Sequence, residues 1–369
     1  MASLMSIWNS ANPQLRNLVA YEPGKPIEDV ARELGLEPSQ ISKLASNENP
    51  LGPSPKALEA MHAALEKAHI YPDGGGYYLR EASAEKFGVQ RANVILGNGS
   101  NELIEFVGHA FLKPGDEIVT SKHAFVMYKV AAQLFGAKTI EVEDPGFAHD
   151  LDAMAAAITP RTKAVFVANP NNPTGTLASQ AQIDRFVDRV PANVVIVFDE
   201  AYQEFLEEPA DTLKFVREGR PNVLVLRTFS KIQGLASLRI GYGMGNAEII
   251  EVLQKTREPF NTSGIAQAGA LAALNDEEHQ RATRELSREG REYLERSFAS
   301  AGLEYIPSVA NFVLVKVGKG KEVFKALMCK GVIIRDMDAY GLPEWIRVTV
   351  GTMEENARFI RELKQQLAV

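Results

Sequence analysis

The chain has 369 residues, is 45% hydrophobic and carries a formal net charge of −7, which suggests about two domains with a large core. The acidic balance argues against a nucleic-acid-binding protein, which usually carries a basic surplus, and indicates small-molecule partners. The single cysteine, Cys329, excludes an intrachain disulfide and a cysteine-rich zinc site.

A cytoplasmic location is predicted, because one thiol in so long a chain is typical of a reducing compartment. The N-terminal residues show no apolar core followed by a small-residue cleavage site, so we expect no signal peptide. No stretch approaches about 18 uninterrupted apolar residues, so no membrane span is expected. No metal site is expected either.

Residues 1–50 are turn-rich and contain YEPGKP and part of ASNENPLGPSP. We expect them to form an arm that contributes to the smaller domain and to the substrate site. A helix should follow, since Pro55 suits a first turn and apolar residues recur at helical spacing from Leu58 to Ala68. The turn cluster YPDGGGYY ends it.

Residues 51–259 alternate short apolar runs with helical stretches, which predicts an α/β fold with a mostly parallel sheet. The run Val194–Phe198 is continuously apolar, as is typical of a strand buried on both faces of such a sheet. The predicted strands are Val94–Leu96, Glu117–Thr120, Lys138–Val142, Lys163–Ala168, Val194–Phe198 and Val223–Leu226.

Residues 260–369 have a different pattern and are predicted to form a smaller α+β domain. Thr352 and Glu355 make a capping box at the start of a final helix. The other predicted elements are a charged helix at Asp276–Ser300, an apolar run at Asn311–Val317, a helix at Lys321–Lys330 and a strand at Trp345–Val350.

Ligands of open α/β sheets bind at the carboxyl ends of the strands, so the residues after each apolar run matter. After the first run, Gly99, Ser100 and Asn101 precede a helix predicted near Glu102, where free N–H groups can hold a phosphate. An ordinary strand–turn–helix joint would look the same. NPNNPTGT follows another run as a rigid polar turn, which is structural or functional.

Two charged residues follow the next two runs. Asp199, in DEAY, comes directly after five apolar residues and needs a partner, because burying an unpaired carboxylate is costly. A salt-bridged or helix-capping acid is the alternative. Lys231, in TFSKIQGLASLRIGY, lies among small and apolar residues just past a buried run, although most lysines are surface charges.

Together NPNNPTG, DEAY and TFSKIQGLASLRIGY resemble the pyridoxal-5′-phosphate (PLP) aminotransferases of fold type I, and the similarity extends over nearly the full length. The resemblance implies a large PLP-binding domain and a smaller domain. It also implies that Lys231 holds the cofactor as a Schiff base and then moves the proton between the substrate Cα and the cofactor C4′.

The resemblance assigns further residues to the cofactor. Asp199 would pair with the pyridine nitrogen, Tyr202 and Asn172 would bind the ring hydroxyl, and Phe125 would stack on the ring, where many relatives carry tyrosine. Tyr71 would reach the phosphate of the neighbouring subunit, which implies a homodimer. The phosphate would otherwise be held by Gly99, Ser100, Asn101, Ser230 and Arg239.

Arg347, in WIRVTVG, matches an arginine that binds the substrate α-carboxylate; a strand-edge salt bridge is the alternative. Within the family, YEPGKP, KLASNENPLGPSP, YPDGGGYYLR and GVIIRD are similar to the histidinol-phosphate aminotransferases. That similarity implies that Tyr21 and Arg335, with Arg347, bind a substrate phosphate, and it places Asn47 in the substrate site.

The implied reaction converts L-histidinol phosphate and 2-oxoglutarate into imidazole-acetol phosphate and L-glutamate, a step of histidine biosynthesis. Alternatives from the same family are an aromatic amino acid aminotransferase and a PLP-dependent phosphothreonine decarboxylase, because fold resemblance fixes chemistry better than substrate. A PLP-binding regulator without turnover is disfavoured, since Lys231 and Asp199 are both present.

Overall fold

The structure is a computed structural model that describes residues 7–19 and 24–368. Its helices are α1 Ile27–Leu34, α2 Pro55–Leu65, α3 Tyr77–Phe87, α4 Gly99–Phe111, α5 Met127–Leu134, α6 Leu151–Ala156, α7 Gln180–Arg189, α8 Leu213–Arg217, α9 Ala247–Gln254, α10 Gly264–Leu274, α11 Glu277–Ser300, α12 Gly320–Met328 and α13 Met353–Leu367. Its strands are β1 Ser42–Lys43, β2 Val94–Gly97, β3 Glu117–Ser121, β4 Lys138–Val142, β5 Thr162–Ala168, β6 Val195–Asp199, β7 Val223–Thr228, β8 Gly241–Gly245, β9 Tyr305–Ile306, β10 Phe312–Lys316, β11 Val332–Ile333, β12 Arg335–Asp336 and β13 Trp345–Thr349.

A seven-stranded sheet in the order β2-β8-β7-β6-β5-β3-β4 forms the centre of the large domain. The strands from β7 through β4 pair in parallel, and β8 alone runs antiparallel to its neighbours β2 and β7. The residues of β6 are buried on both faces, as the continuous apolar run predicts. The predicted α/β fold with a mostly parallel sheet is confirmed.

Strand β8 is the element of this sheet that the sequence does not predict. Its segment GYGMG contains three glycines, which lower strand propensity and remove the side chains that reveal a strand. A Cβ atom at Gly241 would lie 2.5 Å from the backbone nitrogen of Ser100, so the missing side chain lets β8 approach the start of α4.

The C-terminal part has its own antiparallel sheet, in the order β12-β13-β10-β9, with α11, α12 and α13 packed against it. The predicted capping box is present: the Thr352 hydroxyl accepts from the backbone of Glu355, whose carboxylate accepts from the backbone of Thr352. None of the described helices is long and apolar enough to cross a membrane.

The N-terminal arm is joined to this C-terminal part. Strand β1 pairs in parallel with β11, and Val30 and Ala31 of α1 pack against Ile333. The predicted domain ranges stay a prediction; α10, which follows residue 260, packs on α2 and α3 of the large domain.

Candidate active site

A cavity of about 420 Å³ lies at the carboxyl ends of β5, β6 and β7, against the edge formed by β12 and β13. Gly99 lies just outside it behind Arg239, Tyr71 lies apart from it, and Tyr21 falls outside the described residues. The other predicted site residues line it: Asn47, Ser100, Asn101, Phe125, Asn172, Asp199, Tyr202, Ser230, Lys231, Arg239, Arg335 and Arg347.

Asp199 ends β6 and is buried at the cavity floor. Its Oδ2 accepts a hydrogen bond of 2.7 Å from the Tyr128 hydroxyl, and its Oδ1 accepts one of 3.2 Å from the backbone of Ala201. Burial raises the pKa of the Asp199 carboxyl, and the Tyr128 hydrogen bond opposes that shift. Within the chain, the buried carboxylate is thus paired with a tyrosine hydroxyl, and its pairing with the pyridine nitrogen stays a prediction.

Tyr128 was not among the predicted site residues. It is fully buried, its ring stacks on Phe166 at 4.7 Å, and the edge of the ring meets Phe125 at 5.7 Å between centroids. Burial raises the pKa of Tyr128 well above its ordinary value, so the hydroxyl stays protonated and remains a donor. Its position three residues after Phe125, at the start of α5, was the available signal.

The Lys231 ammonium lies in the same cavity, beyond the end of β7. Its Nζ donates to the carbonyl oxygen of Ser46 at 3.0 Å and lies 5.7 Å from the centre of the Tyr202 ring. The Tyr202 hydroxyl accepts from Nδ2 of Asn47 at 2.9 Å. The amine is therefore held by the N-terminal arm at the cavity wall, and its charge partly offsets the upward shift that burial gives the pKa of Asp199.

One end of the cavity can bind an anion. Helix α4 begins at Gly99, three residues earlier than predicted, so Ser100 and Asn101 lie in its first turn, where backbone N–H groups are free. Nη2 of Arg239 lies 2.6 Å from where a Cβ of Gly99 would be. Oδ1 of Asn101 is buried without a hydrogen-bond partner among the described residues.

The opposite wall carries two arginines from neighbouring strands. Arg347 of β13 is buried; it donates to Oδ1 of Asn172 at 2.5 Å and to the carbonyl of Ala45 at 2.8 Å. Arg335 of β12 faces it as its cross-strand partner. Nε of Arg347 has no hydrogen-bond partner among the described residues. This wall is built to receive negative charge.

Asn47 joins the arm to this wall. It adopts a left-handed backbone conformation with φ of 55°, and its Oδ1 accepts from the Thr349 hydroxyl at 3.1 Å. Its backbone carbonyl accepts from Nδ2 of Asn311 at 3.1 Å. Neither Thr349 nor Asn311 was predicted, because only the register of the C-terminal sheet brings them to the arm.

Tyr71 lies outside the cavity of its own chain. Its side chain is 80% exposed and stacks on Phe260 at 4.7 Å between ring centroids. Both rings border a surface hollow that Arg239 also reaches from the other side. In a single chain, Tyr71 therefore lies near the anion-binding end of the cavity but outside the cavity itself.

The residues of the cavity fit PLP. A buried carboxylate, Asp199, suits a protonated pyridine nitrogen, the amine of Lys231 suits an aldehyde, and Phe125 offers an aromatic face. The first turn of α4 and Arg239 suit the phosphate. A large parallel sheet with these groups at its carboxyl edge defines a PLP-dependent transferase of fold type I.

Comparison with known proteins supports this assignment to the PLP-dependent transferases. The family model described as aminotransferase class I and II matches residues 39–363, and the chain belongs to this family. A histidinol-phosphate aminotransferase of Akkermansia muciniphila is 55% identical over 98% of this chain and 100% of that protein. One of Moorella thermoacetica is 51% identical over 94% of this chain and 90% of that protein.

A solved structure, histidinol-phosphate aminotransferase from Sinorhizobium meliloti in complex with pyridoxal-5′-phosphate, superposes with a TM-score of 0.90. It is 28% identical and covers 99% of each chain. The predicted family, its aminotransferase activity and its dependence on PLP are confirmed.

Proposed function

We propose that this aminotransferase acts on L-histidinol phosphate with 2-oxoglutarate as the amino acceptor, yielding imidazole-acetol phosphate and L-glutamate. The observation that carries the proposal is the pairing of Arg335 with Arg347 across two strands, on the wall of the cavity that contains Lys231. Like charges directly opposite each other are unfavourable in a sheet, and a bound dianion removes that cost. The high identity to relatives with this name supports the same substrate.

The two arginines suit two different substrates. A phosphate monoester carries nearly two negative charges and three acceptor oxygens, so it can engage both guanidinium groups. Glutamate and 2-oxoglutarate present a carboxylate in the same place, which Arg347 alone can bind with its fork. An aromatic amino acid has no group that requires Arg335.

Several described side chains would have separate roles in the transamination reaction. PLP, when bound, supplies an electron sink for the electrons released at the substrate Cα. Asp199 would pair its negative charge with the ring nitrogen, and Tyr128 favours the ionised carboxylate by donating to it. The amine of Lys231, which lines the cavity, would take the proton from the substrate Cα and pass it to the cofactor C4′.

The other predicted cofactor residues act by binding and orientation. Asn172 and Tyr202, which line the cavity, would bind the ring hydroxyl, and Phe125 would stack on the ring. Gly99, Ser100 and Asn101, together with Ser230 and Arg239, would hold the phosphate through N–H, hydroxyl and guanidinium donors. Tyr21 stays a predicted phosphate ligand of the substrate.

A homodimer completes the proposal. Apolar side chains remain exposed on one chain, including Leu58 and Leu65 of α2 and the stacked rings of Tyr71 and Phe260. A second subunit would cover them and would bring its own Tyr71 towards the phosphate end of this cavity. A cytoplasmic location stays a prediction.

The test is a side-by-side assay of the purified holoenzyme with L-histidinol phosphate and with L-phenylalanine or L-tyrosine, using 2-oxoglutarate as acceptor. We expect kcat/KM for histidinol phosphate to be higher by about 10²-fold or more, because a site with a buried and a half-buried guanidinium rejects substrates that leave these donors unpaired. Equal or better use of the aromatic amino acids would refute the substrate while leaving the aminotransferase chemistry intact.

A further inference from the structure

A second groove, of about 320 Å³, lies on the outer side of α11, away from the active site. No residue that lines it also lines the active-site cavity. Its residues, which we call the arginine groove, are Phe205, Leu206, Glu207, Arg281, Arg284, Glu285, Arg288, Arg291 and Val309.

Positive charge is in excess in the arginine groove. Its four arginines recur at spacings of three and four residues along α11, so they share one face of the helix. Like charges at this spacing destabilise a helix, and only Glu207 and Glu285 carry opposite charge in the lining. The lining of the groove therefore carries a net positive charge.

Three of these arginines have no carboxylate partner. Arg288 forms ion pairs with Glu289 and Glu292, whereas Arg281, Arg284 and Arg291 form none with any residue in the described ranges. A groove whose lining has four arginines and two glutamates attracts anions, even though the chain as a whole is acidic and Glu292 and Glu295 lie near Arg291.

Two of the three are held in place by neutral groups. Arg284 donates to the carbonyl oxygen of Glu204 at 3.3 Å, and Arg291 donates to that of Ala310 at 3.2 Å. These bonds orient the guanidinium groups towards the groove without neutralising them. Burial lowers the pKa of Arg291, and the nearby carboxylates of Glu295, Glu292 and Glu207 partly offset that shift. Groups ordered before binding lose less entropy when a ligand arrives.

We propose that the arginine groove binds a small multivalent anion that carries phosphate groups. Planar guanidinium forks pair with phosphate oxygens through two parallel hydrogen bonds, and several in a row favour a ligand with more than one phosphate. The volume of the groove suits a small molecule rather than a polymer. This site is separate from the predicted substrate-phosphate residues Arg335 and Arg347.

The test is a calorimetric titration of the holoenzyme with inorganic pyrophosphate as the probe. The variants are Arg281→Gln and the double variant Arg281→Gln with Arg284→Gln. Each lost charged hydrogen-bond donor should weaken binding about tenfold. The matched control is Arg296→Gln, which removes the same charge from an exposed position of the same helix outside the groove and should bind like the wild type.

Arg281→Gln should leave the fold intact, because Arg281 is exposed and no hydrogen bond or ion pair joins it to another residue of the described chain. An Arg335→Gln variant separates the two anion sites, and it should keep the groove affinity. The proposal is overturned if the wild type shows no saturable binding, if the groove variants bind as tightly as the wild type, or if Arg335→Gln abolishes all binding. None of these outcomes bears on the transamination assay.

Discussion

The hydroxyl of Tyr128 lies 2.7 Å from Oδ2 of Asp199, and both side chains are buried. A hydrogen bond to a charged group contributes about 1.5–3 kcal/mol, so Tyr128→Phe should reduce kcat/KM by about ten- to a hundredfold. The packing of the ring against Phe166 is retained in this variant, so the loss should come from the hydroxyl alone.

The pH profile of Tyr128→Phe gives the sharper readout. The Tyr128 hydrogen bond lowers the pKa of Asp199 against the upward effect of burial, so its removal leaves the carboxyl with a still higher pKa. The acid limb of activity should therefore move to higher pH. Tyr305→Phe, a partly buried tyrosine of the C-terminal sheet, is the control. An unshifted acid limb would mean that Tyr128 does not tune this acid.

Lys231→Ala should remove both the colour and the turnover of the enzyme. The cofactor can no longer be joined to the chain, and the general acid–base contribution of the amine, about 10²–10⁴-fold, is lost with it. The measurement is the absorbance of the purified variant at the edge of the visible range together with its activity. A variant that stays yellow and active would refute the assignment of Lys231.

Gly99→Ala should weaken cofactor binding by about tenfold or more, because the new Cβ would lie 2.6 Å from Nη2 of Arg239. The measurement is the fluorescence titration of the apoenzyme with PLP. Gly302→Ala is the matched control, because it has a similar positive φ and no atom within 4 Å of a Cβ. Both variants bear the backbone cost of about 1–2 kcal/mol, so only the contact with Arg239 distinguishes them.

The sequence predicts the parallel strands well because burial on both faces leaves a continuous apolar run, as in β6. It does not predict β8, whose glycines conceal the strand. The apolar spacing extends the helix that begins at Pro55 as far as Ala68, whereas the structure ends it at Leu65 and continues in a turn.

The sequence likewise predicts some residues of the candidate site and misses others. Asp199 and Lys231 could be found from their position after buried runs, because strand ends meet at one edge of a parallel sheet. The pairing of Arg335 with Arg347 depends on the antiparallel register of β12 and β13, which short strands do not reveal. Tyr128 lies three residues after Phe125, but no motif identified it as a site residue.

The pairing of Arg335 with Arg347 predicts that their variants differ in selectivity. Arg335→Gln should lower kcat/KM for histidinol phosphate by about ten- to a hundredfold and leave the glutamate half-reaction nearly unchanged, because only the phosphate needs the second guanidinium. Arg347→Gln should impair both. The control Lys319→Gln removes an exposed charge. Equal losses in both half-reactions for Arg335→Gln would contradict the proposed role.

A variant of Tyr71 tests the predicted dimer. If its hydroxyl reaches the phosphate of the neighbouring subunit, Tyr71→Phe should retain the cofactor less firmly during dialysis, whereas Tyr78→Phe, which is 73% exposed, should behave like the wild type. Mixing subunits of two variants then distinguishes a Tyr71 that acts across the interface from one that acts in its own subunit. A hybrid of one Lys231→Ala subunit and one Tyr71→Phe subunit contains one site with both residues intact only if Tyr71 acts across the interface. Recovery of firm cofactor retention in that site supports the shared site; a hybrid no better than Tyr71→Phe alone places Tyr71 in its own chain's site or in none.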